Sequence, residues 1–157
     1  MPAETKIEFI EKLSNTGLSV VEATAFVSPK WIPQMKDHAS VFNGIKSLST
    51  SVNFPVFVPN LKGLNDAIEV GAKEVAVFTT VSETFCKKNV NCTIAQSLER
   101  VQEILSVALK NNLKVRGYVR CFIEVAFSQK GYSFLDMFPV VLVVLMKASF
   151  HHIKLPN

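Results

Sequence analysis

The sequence predicts an α/β fold built on a parallel sheet. Two observations carry this: apolar stretches of strand length alternate with stretches of helical periodicity from about residue 3 to residue 121, and no tight-turn signal joins one strand directly to the next. The connections are then helical crossovers, which are right-handed. A third observation gives the sheet a polar face. Glu22 stands in the middle of an apolar strand, 18–26, where a carboxylate is costly unless something binds it.

Taken in order, Ile7, Ile10 and Leu13 recur at helical spacing among charges, and Gly17 follows as a C-terminal cap, so a helix is expected over 3–15. In the strand 18–26, alternation sends Val21, Ala23 and Ala25 to one face and Val20, Glu22 and Thr24 to the other. Pro29 and Pro33 keep the next loop from being helical throughout. A helix over 38–48 carries Val41, Phe42 and Ile45 on one face, and a strand over 54–58 follows. Asn60 is a good N-cap for a helix ending near Gly71. After a short strand, 74–79, residues 80–92 read as a long loop. Thr93-Ile94-Ala95-Gln96 then forms a capping box, opening a helix to about 111 whose stripe is Ile94, Leu98, Val101, Leu105 and Ala108. In the last strand, Val115, Gly117, Val119 and Cys121 alternate with Arg116, Tyr118 and Arg120, again one dry and one polar face. Pattern alone allows either a barrel or an open doubly wound sheet. No Gly-x-Gly-x-x-Gly follows a strand to support a dinucleotide site.

Composition bounds the function. The chain has 157 residues, enough for about one domain, and its net charge of +4 is spread without a basic run longer than Lys87-Lys88, which argues against nucleic acid as a partner. Three cysteines, Cys86, Cys92 and Cys121, lack metal-site spacing and fit a reducing compartment as buried or half-buried thiols. No targeting pattern precedes the first helix, so a cytoplasmic or mitochondrial address is expected, the latter needing a transit peptide upstream. The apolar run 137–146 is shorter than the roughly 20 residues of a membrane span and reads as a strand or helix, so no membrane partner is expected. The adjacent His151 and His152 point to different faces of either element and make poor metal ligands.

The run from Ser19-Val20-Val21-Glu22 through Phe26-Val27-Ser28-Pro29-Lys30-Trp31 to Pro33-Gln34-Met35 resembles the hydroxymethylglutaryl-CoA lyase family. The likeness continues through Pro59-Asn60-Leu61-Lys62-Gly63, Gly71-Ala72-Lys73-Glu74-Val75, Lys87-Lys88-Asn89-Val90-Asn91-Cys92 and Val115-Arg116-Gly117-Tyr118-Val119. It implies a TIM (β/α)8 barrel, of which these four strands correspond to the second to fifth. The expectation is therefore a partial barrel over 1–121 and a divergent tail, 122–157. The family's Arg-Asp pair, His-x-His pair and cysteine loop find no match here, and Arg120 stands where the family has serine. The abrupt change at about residue 121 suggests an alternative transcript or an incompletely read gene.

The resemblance implies cleavage of hydroxymethylglutaryl-CoA to acetyl-CoA and acetoacetate, with a divalent cation, magnesium or manganese, as cofactor. It places Glu22 beside that metal, and Asn89, Thr93 and Tyr118 near the CoA-bound substrate. Arg116 is open between a site role and an ion pair with Glu22. Ala25 replaces a serine common in the family. Beside these roles stand plainer ones: Thr93 as a helix cap, Asn89 as a loop-shaping residue and Tyr118 as core. The chain is expected to be inactive alone, and half a barrel leaves open edges through which a homo-oligomer or a pairing with a full-length copy can form. Two other readings are a non-catalytic binding or regulatory isoform of the same gene, and a related barrel synthase, an isopropylmalate or homocitrate synthase.

Overall fold

The computed structural model describes residues 1–48, 51–120 and 144–146. Helix α1, Ala3–Ser14, leads to strand β1, Thr24–Ala25. A 3-10 turn at Pro33–Met35 precedes helix α2, His38–Ile45, and then strand β2, Val56–Phe57. Helix α3, Leu61–Glu69, strand β3, Glu74–Thr80, helix α4, Glu83–Val90, helix α5, Ile94–Lys110, and strand β4, Lys114–Arg120, complete the run. The four strands lie in sequence order and pair in parallel. This is the expected arrangement. A fifth strand, β5, Val144–Met146, pairs antiparallel with β4, placing Leu145 opposite Tyr118. Cys121, His151, His152 and the rest of the expected tail lie outside the described residues.

Register fixes the two faces of the sheet. Thr24, Val56, Val75 and Val115 form one row across the strands, and Val56 and Val75 are fully buried. They join Val41, Phe42 and Ile45 of α2, Leu64 and Ala67 of α3, and Ile104 and Ala108 of α5 in one core, so this face carries the helices. The next row, Ala25, Phe57, Ala76 and Arg116, belongs to the opposite face. Phe57 and Phe78 stack there with centroids 5.4 Å apart.

Three expectations need correction. The first concerns β1. Val20 pairs with Asn53 and Thr24 with Val56, so four residue steps on β1 match three on β2. The Val21 and Ala23 amides donate to the Asn53 and Pro55 carbonyls, and the Phe26 amide donates to the Phe57 carbonyl. One extra residue is thus bulged into β1. Thr24, expected beside Glu22, turns to the helices, while Ala25 turns to the opposite face. The β2 ladder is shorter than expected because Pro55 has no N–H to give it.

The second correction is in the supposed loop 80–92, which contains α4. Ser82 caps it, its hydroxyl accepting from the Phe85 amide, and Asn91 ends it in the left-handed region at φ 49°. The third is the buried stripe of α5, which is Ser97, Val101, Ile104 and Ala108 rather than the row through Leu98. Leu98 is half exposed, and Ser97 takes its place with its hydroxyl 3.3 Å from that of Thr79.

Between the first two helices, Lys6 binds both the Asp37 carboxylate, at 2.6 Å, and the Gln34 carbonyl. The hydrogen bond from Lys6 holds the Asp37 carboxyl below its ordinary range.

Candidate functional site

Glu22 and Tyr118 meet. The Tyr118 hydroxyl donates to Oε2 of Glu22 at 2.9 Å, across 96 residues of sequence. Three strand spacings would hold β1 and β4 about 14 Å apart in a flat sheet, whose side chains stand perpendicular to it and could not converge. The sheet is therefore curled, and the face opposite the helices is its concave side. The bulge in β1 puts Glu22 on that side. Without the extra residue, Glu22 and Ala25 would face opposite ways.

Burial shapes the pair's chemistry. Desolvation first, and the hydrogen bond to Glu22 second, push the Tyr118 phenol up to about 12. It is a proton donor throughout the neutral range. A phenol whose folded value exceeds its ordinary 10.0 stabilises the fold while protonated; that contribution is complete below pH 10 and is lost as pH rises toward about 12. The measurement is the alkaline absorbance titration of a Tyr132→Phe variant, which leaves Tyr118 as the only tyrosine. Its midpoint should lie near 12 and fall part of the way toward 10 when Glu22→Gln is added. The larger, desolvation part should remain.

Glu22 itself is exposed. It therefore escapes the cost of a buried, unpaired carboxylate: water and Tyr118 satisfy it. Arg116 pairs with Glu74 and not with Glu22, its Nε and a terminal nitrogen donating to one carboxylate oxygen at 3.0 and 2.7 Å. Both partners are largely buried, at 24% and 12% side-chain exposure. They lie on the concave face, since Glu74 and Arg116 alternate with Val75 and Val115.

The other candidates serve helix ends. Asn60 caps α3, its Oδ1 accepting from the Gly63 amide at 3.0 Å. Thr93 caps α5 in the expected box, with Gln96 returning to the Thr93 amide at 3.0 Å. Glu83 accepts from the Ile94 amide beside it. Asn89 sits on α4 and donates to the Phe85 carbonyl at 3.1 Å. These three residues follow the carboxyl ends of β2 and β3, the side on which such folds place sites. Only Glu22 and Tyr118 are joined by a hydrogen bond.

A divalent cation does not fit the described donors. No group of three or more His, Cys, Asp or Glu side chains among the described residues is placed to hold a metal. His38, which carries a ring nitrogen suited to one, instead donates from Nδ1 to the Met35 carbonyl at 2.6 Å and packs on Phe26. Every buried side-chain nitrogen or oxygen among the described residues already has a partner, so none is left aimed at an ion.

Parallel strands in sequence order, helices on one face and a polar pair on the concave other define one side of a (β/α)8 barrel. The crystal structure of the HMG-CoA lyase from Brucella melitensis superposes with a TM-score of 0.75 at 44% identity, covering 82% of this chain and 45% of that one. The mitochondrial hydroxymethylglutaryl-CoA lyase of Gallus gallus is 53% identical over 121 residues, 77% of this chain and 40% of the relative. The cytoplasmic 3-hydroxy-3-methylglutaryl-CoA lyase of Rattus norvegicus is likewise 53% identical, over 77% of this chain and 35% of the relative. The HMGL-like family pattern matches residues 1–147, and the chain belongs to that family. It spans well under half the length of these curated relatives. Relatives of both mitochondrial and cytoplasmic name occur, and no described helix is long and apolar enough to cross a membrane.

Proposed function

We propose that this chain supplies the Glu22–Tyr118 side of a pocket for hydroxymethylglutaryl-CoA, and that cleavage to acetyl-CoA and acetoacetate takes place only where further residues complete the site. The observation that carries this reading is the 2.9 Å bond between Tyr118 and Glu22 on the concave face. The phenol fixes the carboxylate's direction, and the second carboxylate oxygen is offered to a hydroxyl of the ligand. Asn89 and Thr93, at the turn between α4 and α5, are the candidates for contacting the CoA thioester. Arg116 acts at one remove, as a structural ion-pair partner of Glu74.

The reaction requires a base for the tertiary hydroxyl proton and an electrophile for the departing enolate. The described residues form no metal site, so the divalent ion of the resemblance has no step here and its binding is expected to be weak. The division at about residue 121 is retained as part of this proposal, although the family pattern runs past it to residue 147.

A second reading is a non-catalytic binding or regulatory product of the same gene. β5 favours it, because an antiparallel strand occupies the edge of β4 where a parallel barrel continues with a parallel strand.

The test is two-part. Acetoacetate formation is assayed with magnesium or manganese, and CoA-thioester binding is followed through Trp31, the only tryptophan, which is 83% exposed. No turnover is expected, with binding weakened about tenfold in Tyr118→Phe, the equivalent of about 1.4 kcal/mol. Turnover that vanishes in Glu22→Ala would overturn the view of an incomplete site. Binding indifferent to both substitutions would overturn the pocket.

A further inference from the structure

The turn between α4 and α5 brings together two thiols that the reading above does not use. Cys86 lies in α4 and Cys92 just ahead of the Thr93 cap, and the left-handed Asn91 between them reverses the chain. Their sulfurs are 3.8 Å apart, and both residues are buried, at 0% and 5% exposure. A disulfide needs about 2.05 Å, so closure asks for under 2 Å of approach, within the reach of side-chain rotation and a small shift of the turn. Cys92 also lines a cavity of about 30 Å³ with Phe57, Phe78, Ser97 and Arg100. A water needs roughly 10–15 Å³ of such space, so the cavity has room for a water- or peroxide-sized molecule.

We propose that Cys86 and Cys92 form an oxidative modification site, a buried dithiol that hydrogen peroxide converts to an intramolecular disulfide. In the first step a thiolate attacks one peroxide oxygen. The O–O bond breaks, a sulfenic acid forms and hydroxide leaves, to be protonated to water. In the second the other sulfur attacks the sulfenic sulfur, forming the S–S bond and releasing the second water. Two thiols lose two electrons and one peroxide gains them. Burial, then the hydrogen bond with Cys92, raise Cys86, which makes Cys86 the sulfur that attacks second and leaves the peroxide to Cys92 beside the cavity. The bond would tie the middle of α4 to the residue just ahead of α5 and close a short loop holding Lys87, Lys88 and Asn89.

The experiment treats the full chain, in a Cys121→Ala background, with hydrogen peroxide and separately with oxidised glutathione. Intact mass and tryptic peptides are then read without reduction. The expected product has lost two hydrogens and joins Cys86 to Cys92, so cleavage after Lys87 or Lys88 releases no free fragment until a reductant is added. Cys86→Ala and Cys92→Ala should each abolish this product, leaving the remaining cysteine to gain oxygen instead. Glutathione disulfide should leave both thiols unmodified, being too large for the cavity. Oxygen addition to the two cysteines independently, cross-links between chains, or glutathione adducts on the folded pair would each overturn the proposal.

Discussion

A Gly63→Ala variant is expected to lose about 3 kcal/mol of stability, near the upper end for overpacking a well-filled site. For a chain of this size that corresponds to roughly 6–12 °C in Tm. Gly63 lies in the first turn of α3, where its amide binds the Asn60 cap. A Cβ there would press onto the Phe26 backbone carbonyl, with Pro59 Cδ 3.1 Å away on the other side. Neither neighbour can yield: Phe26 is anchored by its amide to Phe57 and buried at 3% exposure, and the proline ring is rigid. Gly44→Ala makes the control. The atoms its Cβ would meet belong to the flexible end of Ile7, so a rotamer change relieves the clash and the loss should be much smaller. Thermal unfolding of both variants checks the contrast, and equal losses would contradict it.

The second large effect belongs to Arg116. Arg116→Met leaves Glu74 charged at 12% exposure without its bidentate donor, and about 2–4 kcal/mol should be lost, somewhat less than for a fully buried pair. Lys114, in register with Glu74 and on the same face, softens the loss. Adding Glu74→Leu should restore most of the stability, because removing both charges also removes the cost of desolvating the one left behind. Urea unfolding of the two single variants and the double variant measures the coupling. If the double variant is as unstable as the sum of the singles, the pair contributes nothing jointly.

The sequence carried most of the fold because its signals are local. Ile7, Ile10 and Leu13, or Val41, Phe42 and Ile45, announce a helix face with no knowledge of the partner. The N-caps and glycine stops are local likewise: Thr93 and Asn60 cap their helices as expected, and Gly17 and Gly71 adopt φ of 88° and 87°. What failed was non-local or short. The extra residue of β1 exists only relative to the register of β2, so alternation counted along one strand placed Thr24 on the wrong face. Arg116 found Glu74, 42 residues away, where nothing along the chain ranked it above Glu22. Helix α4 has only eight residues and one fully buried side chain, Cys86, although Ser82 followed by Glu83 was a usable start signal. On α5, hydropathy favoured Leu98, but the position facing the Thr79 hydroxyl suits Ser97. The Glu22–Tyr118 pair lay between these cases. Each residue stood out alone, and only the curl of the sheet could show that they touch.

The strand β5 also sets terms for assembly. Because it belongs to the same polypeptide as β4, it meets that edge at an effective concentration on the order of millimolar. A strand of equal affinity from a separate copy, at micromolar concentration, competes at a disadvantage of about a thousandfold. The edge of β4 is therefore guarded by mass action rather than by charge or proline, and a rival strand must bring contacts worth about 4 kcal/mol more than the three residue pairs of β5 to displace it. The other edge, β1, has no such internal competitor among the described residues, and its ladder with β2 is only two residues long. The edge strands are thus β1 and β5, and association between copies through strand pairing would begin at one of these, with β4 remaining closed.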